Sequence, residues 1–315
     1  MTERLVPELP KEDTSLRLFI DTDAANEIDD LYAIALALAA PERFRLEGFV
    51  ATHFATWAGP HSTEQSYQLI LEELRAADCA GQYPVEPGGH PMQYQHVPSP
   101  SAGADLLIER ARAGGEHDPL WIVALGAATN VASALLQAPD IAGRIRIIFH
   151  ARNEDNWPER TTQFNVMGDV IAVQTLLASD APLVWFDTGT ALTLPMQDSA
   201  TRLAPLGDLG RFLHEFRHRR PEFASPTKGF FDLGDIAWMI NPAVCMQQVV
   251  SAPRLHRYCH FDHERGHGHM LRVFSIDPVP TWALFFEHMQ RFNSGDETPG
   301  ASTAGGSVQG APAEC

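Results

Sequence analysis

LRLFIDTDAANEIDDLYAIALALAA, residues 16–40, joins an apolar strand-like run to an apolar helical run through an acidic loop. Residues 21–30 of this stretch carry five acidic side chains, four of them aspartates. Carboxylates crowded at one junction repel one another unless a hard cation takes their oxygens as ligands. One aspartate here would indicate a helix cap, whereas four around one turn indicate a Ca²⁺ or Mg²⁺ site. The four are Asp21, Asp23, Asp29 and Asp30.

Short β-rich runs alternate with longer helical patterns, which is typical of a parallel sheet covered by helices. The predicted strands are residues 16–20, 46–52, 120–125, 145–149, 183–186 and 270–276. The predicted helices are residues 29–40, 61–77, 102–113, 130–137, 168–178, 209–219, 234–240 and 280–292. We therefore expect an α/β fold, a mostly parallel central sheet flanked by helices, in a single domain over residues 1–292. Residues 293–315, rich in Gly, Ser, Thr, Ala and Pro, are expected to form a disordered tail.

The composition excludes several classes of partner. The 315-residue chain has 23 Lys and Arg against 40 Asp and Glu, a net charge of -17, which argues against binding nucleic acid through its phosphates. No run approaches the roughly 20 apolar residues of a membrane span, and the N-terminus does not resemble a signal peptide. The four cysteines are scattered without a C-x-x-C pair, which fits a reducing compartment. We expect a cytoplasmic protein that binds neither nucleic acid nor membrane.

Two known kinds of site also begin with D-x-D, here Asp21-Thr22-Asp23. An EF-hand loop needs Gly at its sixth position and Glu at its twelfth, where this chain has Asn26 and Tyr32, so that prediction fails. A Mg²⁺ phosphatase of the haloacid dehalogenase type would use the first aspartate as nucleophile and a lysine against the phosphate. Lys228 is the only candidate for that lysine, and this alternative stays open.

Further motifs follow the aspartate loop in chain order. Residues 123–132 read as a strand, a glycine turn and a Thr-Asn helix start. Residues 163–169 contain Phe-Asn followed by an acidic residue, and residues 232–237 hold two aspartates ahead of Asn241-Pro242. In this order the motifs resemble the inosine-uridine preferring nucleoside hydrolase family. The resemblance implies a Rossmann-like core, a homodimer or homotetramer, and Ca²⁺-dependent hydrolysis of ribonucleosides to free base and ribose.

The resemblance also implies roles for individual residues. The Ca²⁺ ligands would be Asp23, Asp30, Asp235 and the backbone carbonyl of Leu125. Asp23 would also accept the proton of the attacking water, because the cleavage passes through an oxocarbenium-like sugar and needs an aligned water. The ribose hydroxyls and their surroundings would be bound by Asp29, Asn165 and Asn156, with Asp21 in support.

Three departures from the family pattern limit the prediction. The loop Ala24–Ile28 is two residues longer than usual, which would carry Asn26 or Glu27 toward the sugar. The histidine that in many members precedes the last motif aspartate and protonates the leaving base is replaced by Gly234. The asparagine expected after the second strand is missing, and His53 lies near that point as a substitute. Because of the missing histidine, a non-catalytic protein that binds nucleoside or sugar remains a second alternative.

Residues 259–269 form a histidine-rich segment, and residues 263–267 spell H-E-x-x-H. Two glycines and polar neighbours argue against the amphipathic helix that a zinc protease motif requires. A solvated loop is the plain interpretation, and adventitious metal binding is another. If this loop covers the site, His267 or His269 would be the leaving-group acid.

Overall fold

The computed structural model describes residues 4–152 and 156–295. Its strands are β1 (Leu16–Thr22), β2 (Phe44–Ala51), β3 (Val85–Pro87), β4 (Leu120–Ala124), β5 (Ile145–His150), β6 (Leu183–Phe186), β7 (Cys245–Ser251), β8 (Arg254–Leu255), β9 (Phe261–Asp262) and β10 (His269–Ile276). Its helices are α1 (Asp29–Leu38), α2 (Ala55–Ala58), α3 (Ser62–Ala76), α4 (Ala102–Ala113), α5 (Thr129–Gln137), α6 (Phe164–Gly168), α7 (Val170–Ala178), α8 (Met196–Asp198), α9 (Gly207–Phe216), α10 (Leu233–Ile240) and α11 (Pro278–Ser294).

The central sheet has eight strands in the order β3-β2-β1-β4-β5-β6-β10-β7. All neighbouring pairs are parallel except β10 with β7. The chain runs outward from β1 through β2 to β3, and then returns to the other side of β1 with β4. The strand order therefore reverses between β1 and β4, and an open α/β sheet binds its ligand at the carboxyl ends of the strands beside such a reversal.

β1 shows why the sheet is covered on both faces. All seven of its residues are buried, because successive side chains point to opposite faces and each face meets helices. Leu18 and Ile20 belong to the core that contains α1, α10 and α11, whereas Phe19 belongs to the core that contains α4, α5 and α7. The α/β class and the mostly parallel central sheet are confirmed.

The sequence did not predict two strands of this sheet. β3 has only three residues, and β7 is the antiparallel edge strand, whose residues are mostly exposed and so lack the apolar run of a buried strand. At the other end of the chain, α11 extends to Ser294 and is closed by Gly295 at φ 67°. The tail predicted from residue 293 otherwise falls on residues 296–315, outside the described residues. Among the described residues, no helix has the length and apolar character needed to cross a membrane.

Candidate active site

A cavity of about 160 Å³ opens at the carboxyl ends of the strands, beside the reversal between β1 and β4. Its floor is acidic, and one wall is aromatic and cationic. The lining residues are Asp23, Asn26, Glu27, Asp29, Asp30, Leu125, His150, Arg152, Gln163, Phe164, Asn165, Phe231 and Asp232. Six residues that the sequence analysis assigned to the metal or the substrate are therefore in this cavity: Asp23, Asn26, Asp29, Asp30, Leu125 and Asn165.

The acidic floor is assembled from β1, α1 and the start of α10. Asp29, Asp30 and Asp232 are buried, and one carboxylate oxygen from each lies within 4.8 Å of the other two. Oδ1 of Asp29 and Oδ2 of Asp30 are buried with no hydrogen-bond partner among the described residues. Buried oxygens without a partner are costly, and a cation at this point would satisfy them.

Charge crowding on this floor changes the ionisation of its carboxyl groups. Burial, and then the nearby charges of Asp30, Asp29 and Glu27, raise the pKa of Asp23 well above its ordinary value. Burial and neighbouring aspartates likewise raise the pKa values of Asp30 and Asp232. Like charges within one desolvated site cannot all ionise without compensation. The electrostatics therefore favour a divalent ion.

Asp29 and Asp30 are oriented by specific hydrogen bonds. Oδ2 of Asp29 accepts from the backbone N–H of Phe231 at 3.1 Å, and the hydroxyl of Thr22 donates to Oδ1 of Asp30. Both aspartates occupy the first turn of α1, where the helix dipole favours negative charge. In each carboxylate one oxygen is thus hydrogen-bonded to a neighbouring residue, and the other oxygen has no hydrogen-bond partner among the described residues.

Asn165 fixes the backbone where two neighbouring strands reach the cavity. Its Nδ2 donates to the carbonyl of Leu125 at 2.5 Å and to the carbonyl of His150 at 3.2 Å, so it ties together the ends of β4 and β5. Asn165 holds this position because the Gln163 side chain caps α6, accepting from the N–H of Val166 at 3.1 Å. A carbonyl oxygen has two lone pairs, so that of Leu125 can still bind a metal ion.

The structure places Asp232, and not Asp235, on the cavity wall. Asp232 immediately precedes α10 and meets Asp29 and Asp30, whereas Asp235 lies one turn further into the helix. Nδ1 of His150 is 2.7 Å from Oδ2 of Asp235 and 3.4 Å from Oδ1 of Asp232. Asp235 thus pairs with His150, and His150, Asp232 and Asp235 also lie close enough together to hold a metal ion. The ligand role of Asp235 stays a prediction, while Asp232 is the aspartate that lines the cavity. The residue before that aspartate is Phe231, so the expected histidine is absent in this alignment too.

The loop Ala24–Ile28 carries polar groups into the cavity. Asn26 donates through Nδ2 to Oδ2 of Asp23 at 3.2 Å. Glu27 pairs with Lys228, whose Nζ is 2.7 Å from Oε2 of Glu27 and 4.0 Å from Oδ1 of Asp29. The loop is thus anchored by a cation that also reduces the negative charge of the floor.

Two of the predicted substrate residues and the supporting aspartate lie outside the lining. Asp21 is buried and accepts from Nδ2 of Asn130 at 2.9 Å, and burial raises the pKa of Asp21 to about 7. The carbonyl of Asn156 accepts from the N–H groups of Glu159 and Arg160, and its side chain is not part of the cavity wall. His53 is buried away from the cavity, with Nε2 2.7 Å from the hydroxyl of Thr129.

The histidine-rich segment lies on another part of the surface. His267 pairs with Asp180 at 2.7 Å and lines a separate cavity with Leu177 and Arg254. His269 begins β10 at the exposed end of that strand. Neither histidine lines the candidate active site, and residues 263–267 form no helix. The segment instead supports the chain before α6, where the N–H of Phe261 donates to the carbonyl of Glu159 at 3.0 Å.

Protonation of His53 is expected to weaken the fold in mild acid. Burial is the main cause that lowers the pKa of His53 from 6.5 to about 4. The folded state therefore prefers the neutral ring, and this stabilisation, complete above pH 6.5, is lost as the pH falls toward 4. His53→Gln should reduce the loss of unfolding free energy between pH 7 and pH 5 by about 2 kcal/mol. Urea unfolding at both pH values checks this, and equal losses in variant and wild type would contradict it.

The sequence analysis missed several lining residues: His150 ends β5, Arg152 follows that strand, and Phe231 precedes α10. What these residues share is their position, since each lies where a strand or loop reaches the carboxyl edge of the sheet. That signal was available for His150, which directly follows the strand predicted over residues 145–149. Gln163 and Phe164 stand beside the Asn165 that the motif did identify.

The chain was compared with known protein families and curated sequences. A sequence model described as inosine-uridine preferring nucleoside hydrolase matches residues 18–274. The non-specific ribonucleoside hydrolase RihC of Salmonella agona (strain SL483) is 28% identical over 254 residues, covering 72% of this chain and 79% of that protein. RihC of Escherichia coli (strain K12 / DH10B) is 27% identical over 248 residues, with 72% and 80% covered.

Solved structures show the same fold. The purine-preferring ribonucleoside hydrolase from Gardnerella vaginalis has a TM-score of 0.70 at 18% identity, covering 89% of this chain and 100% of that one. A plant nucleoside hydrolase, the PpNRh1 enzyme, has a TM-score of 0.69 at 18% identity, with 88% and 99% covered. The family match reaches from β1 into β10 and includes every segment that lines the cavity. The chain therefore belongs to the inosine-uridine preferring nucleoside hydrolase family and is a nucleoside hydrolase.

Proposed function

We propose that this protein hydrolyses the N-glycosidic bond of ribonucleosides to free base and ribose, with a bound Ca²⁺ ion. The observation that carries this proposal is the buried cluster of Asp29, Asp30 and Asp232, whose oxygens lie within 4.8 Å of one another on the cavity floor. Its similarity to proteins named as ribonucleoside hydrolases supports the substrate class.

The donor set of the floor fits a hard divalent ion. We assign Asp23, Asp30, Asp232 and the carbonyl of Leu125 as the residues that would hold it, all of them oxygen donors that line the cavity. The unpartnered Oδ2 of Asp30 agrees with this assignment. A bound Ca²⁺ supplies positive charge that makes a neighbouring water more acidic and attracts the two ribose hydroxyls.

The chain's own residues supply the remaining steps. Asp23 accepts the proton of the attacking water, because its carboxylate lines the cavity beside the other proposed ligands. Oδ1 of Asp29, which has no hydrogen-bond partner among the described residues, accepts from a ribose hydroxyl. Asn165 holds the carbonyls of Leu125 and His150 in place beneath the sugar. The acidic floor stabilises the positive charge that develops on the anomeric carbon.

Observations in the cavity argue against the two alternatives that the sequence left open, a Mg²⁺ phosphatase and a non-catalytic binding protein. A phosphatase needs a cation free to meet phosphate, but Lys228 is paired with Glu27 and faces Asp29. The floor would also repel a phosphate group by its density of carboxylates. A non-catalytic binding protein has no need of a base beside the metal ligands, and the family match is to hydrolases.

Chelation is expected to abolish base release and to weaken the fold. With the ion removed, the cluster of Asp29, Asp30 and Asp232 is left uncompensated, and a ligand that binds only the folded state stabilises it by about 2.7 kcal/mol at about 100-fold its Kd. Inosine and uridine hydrolysis and thermal unfolding should be measured after EDTA treatment and again after adding Ca²⁺ or Mg²⁺. Recovery with Ca²⁺ supports the proposal, and full activity in the chelated protein would contradict it.

We also propose that the protein works in the cytoplasm as a homodimer or homotetramer. The thiols of Cys79, Cys245 and Cys259 are free, which supports a reducing compartment. Light scattering coupled to size-exclusion chromatography tests the oligomeric state, and a monomer at micromolar concentration would contradict it.

A further inference from the structure

Arg152 places a cation in the wall of the active-site cavity. Its guanidinium lies over the ring of Phe231, with Cζ 4.0 Å from the ring centroid, and both residues line the cavity. Nε of Arg152 is buried and has no hydrogen-bond partner among the described residues. No carboxylate within residues 4–152 and 156–295 forms an ion pair with it. Among the described residues, the guanidinium of Arg152 is thus held over an aromatic ring, and its Nε has no hydrogen-bond partner.

The proposed reaction has one step that calls for such a group. When the N-glycosidic bond breaks, its electron pair goes to the base nitrogen, so the departing base gains negative charge while the sugar gains positive charge. The carboxylates of the floor suit the sugar but oppose the anionic base. A fixed cation in the lining of the cavity offsets that repulsion.

We propose that Arg152 is a catalytic residue that hydrogen-bonds the departing nucleobase and stabilises its negative charge. This inference rests on the proposed function. Water adds its oxygen to the anomeric carbon, Asp23 takes the water proton, and the base is finally protonated from solvent, so the products are ribose and neutral base. Arg152 donates hydrogen bonds throughout and keeps its own protons, because a guanidinium is not deprotonated in proteins.

The geometry favours a base over a phosphate as the partner of Arg152. The guanidinium lies over the ring of Phe231 and is itself planar, so the N–H donors along its edges can meet the acceptor atoms of a planar base. A phosphate would require several donors, and the second cation near Phe231, Lys228, is already paired with Glu27 at 2.7 Å. The chemistry points to bases that carry carbonyl or ring-nitrogen acceptors.

The test compares leaving groups of different basicity. Arg152→Met keeps the length and the apolar contact with Phe231 but removes the donors. We expect kcat/KM for inosine and uridine to fall about 100-fold or more. The value for p-nitrophenyl β-D-ribofuranoside, whose leaving group is already a stable anion, should change by less than about 5-fold. Added guanidinium should restore part of the inosine activity. Arg152→Lys keeps the charge without the planar fork. Its kcat/KM for inosine should lie between those of the wild type and Arg152→Met.

Several outcomes would overturn the inference. Equal losses on inosine and on the nitrophenyl riboside would show a structural role, and unchanged inosine activity would show no role. A loss confined to nucleoside 5′-monophosphates would identify Arg152 as a phosphate contact. Arg265→Met, at a side chain 74% exposed outside this cavity, is the matched control and should behave as wild type. If the wild type releases base from no riboside, the proposed function fails as well. If the wild type does release base, the results for the variants test only the role of Arg152.

Discussion

Asp23→Asn is expected to lower kcat for inosine and uridine hydrolysis by about 10³- to 10⁴-fold, the range attributed to a lost general base. Asparagine keeps the size of the side chain and one carbonyl oxygen, but it cannot accept the proton of the attacking water. Asp23 lies on the cavity floor, and its Oδ2 already receives a hydrogen bond from Asn26 at 3.2 Å. The substitution should therefore disturb the local packing little.

Steady-state kinetics at increasing Ca²⁺ concentrations separate the two roles proposed for Asp23, as general base and as Ca²⁺ ligand. A lost base lowers kcat even when Ca²⁺ is saturating, whereas a weakened metal site is overcome by more Ca²⁺. Asp105→Asn, at an exposed position in the first turn of α4, is the control for removing one negative charge. Wild-type turnover of the Asp23 variant at saturating Ca²⁺ would refute its role as base.

Asp232→Asn is expected to weaken Ca²⁺ binding on the order of 10³-fold, because ligand charge sets the affinity of such sites. Asp235→Asn should cost only about 10-fold, as expected for a residue that acts through a neighbour of the ligands. The reason is the position of each carboxylate. Asp232 meets Asp29 and Asp30 at the cavity floor, whereas Asp235 is 2.7 Å from the ring nitrogen of His150.

The two variants form a matched pair, since each removes one charge from the start of the same helix. Calorimetric titration of the chelated proteins with Ca²⁺ gives the two affinities, and circular dichroism confirms that both are folded. A larger loss in the Asp235 variant would restore the assignment made from the sequence motif. Equal losses would mean that both carboxylates contact the ion.

The α/β architecture could be predicted from the sequence because the buried parallel strands are mostly apolar and alternate with longer helical patterns. The Leu183–Phe186 strand and the Ala102–Ala113 helix were predicted with the bounds that the structure has. β7 could not be predicted in this way. As an antiparallel edge strand it exposes most of its side chains, so its membership of the sheet depends on pairing with β10, a contact far away in the sequence.

The lining of the cavity was predictable where its acidic residues are adjacent in sequence, and the choice of the proposed ligands was open where they are not. Asp29 and Asp30 follow from the loop itself, since consecutive acids at a helix start leave few other interpretations. The choice between Asp232 and Asp235 depends on where α10 begins, and a helix boundary read from sequence is uncertain by several residues. Arg152 belongs to no motif and becomes visible only through its stacking on Phe231.

The assignment of the proposed Ca²⁺ ligands to distant segments has a consequence for biosynthesis. Asp23 and Asp30 leave the ribosome early, Leu125 lies in the middle of the chain, and Asp232 comes late. A nascent chain that ends before α10 has the first three donors but no closed coordination sphere, so its affinity for Ca²⁺ stays low. With the proposed ligands, ion binding would require α10 to dock against α1, and this docking can occur only after residues 233–240 have been synthesised.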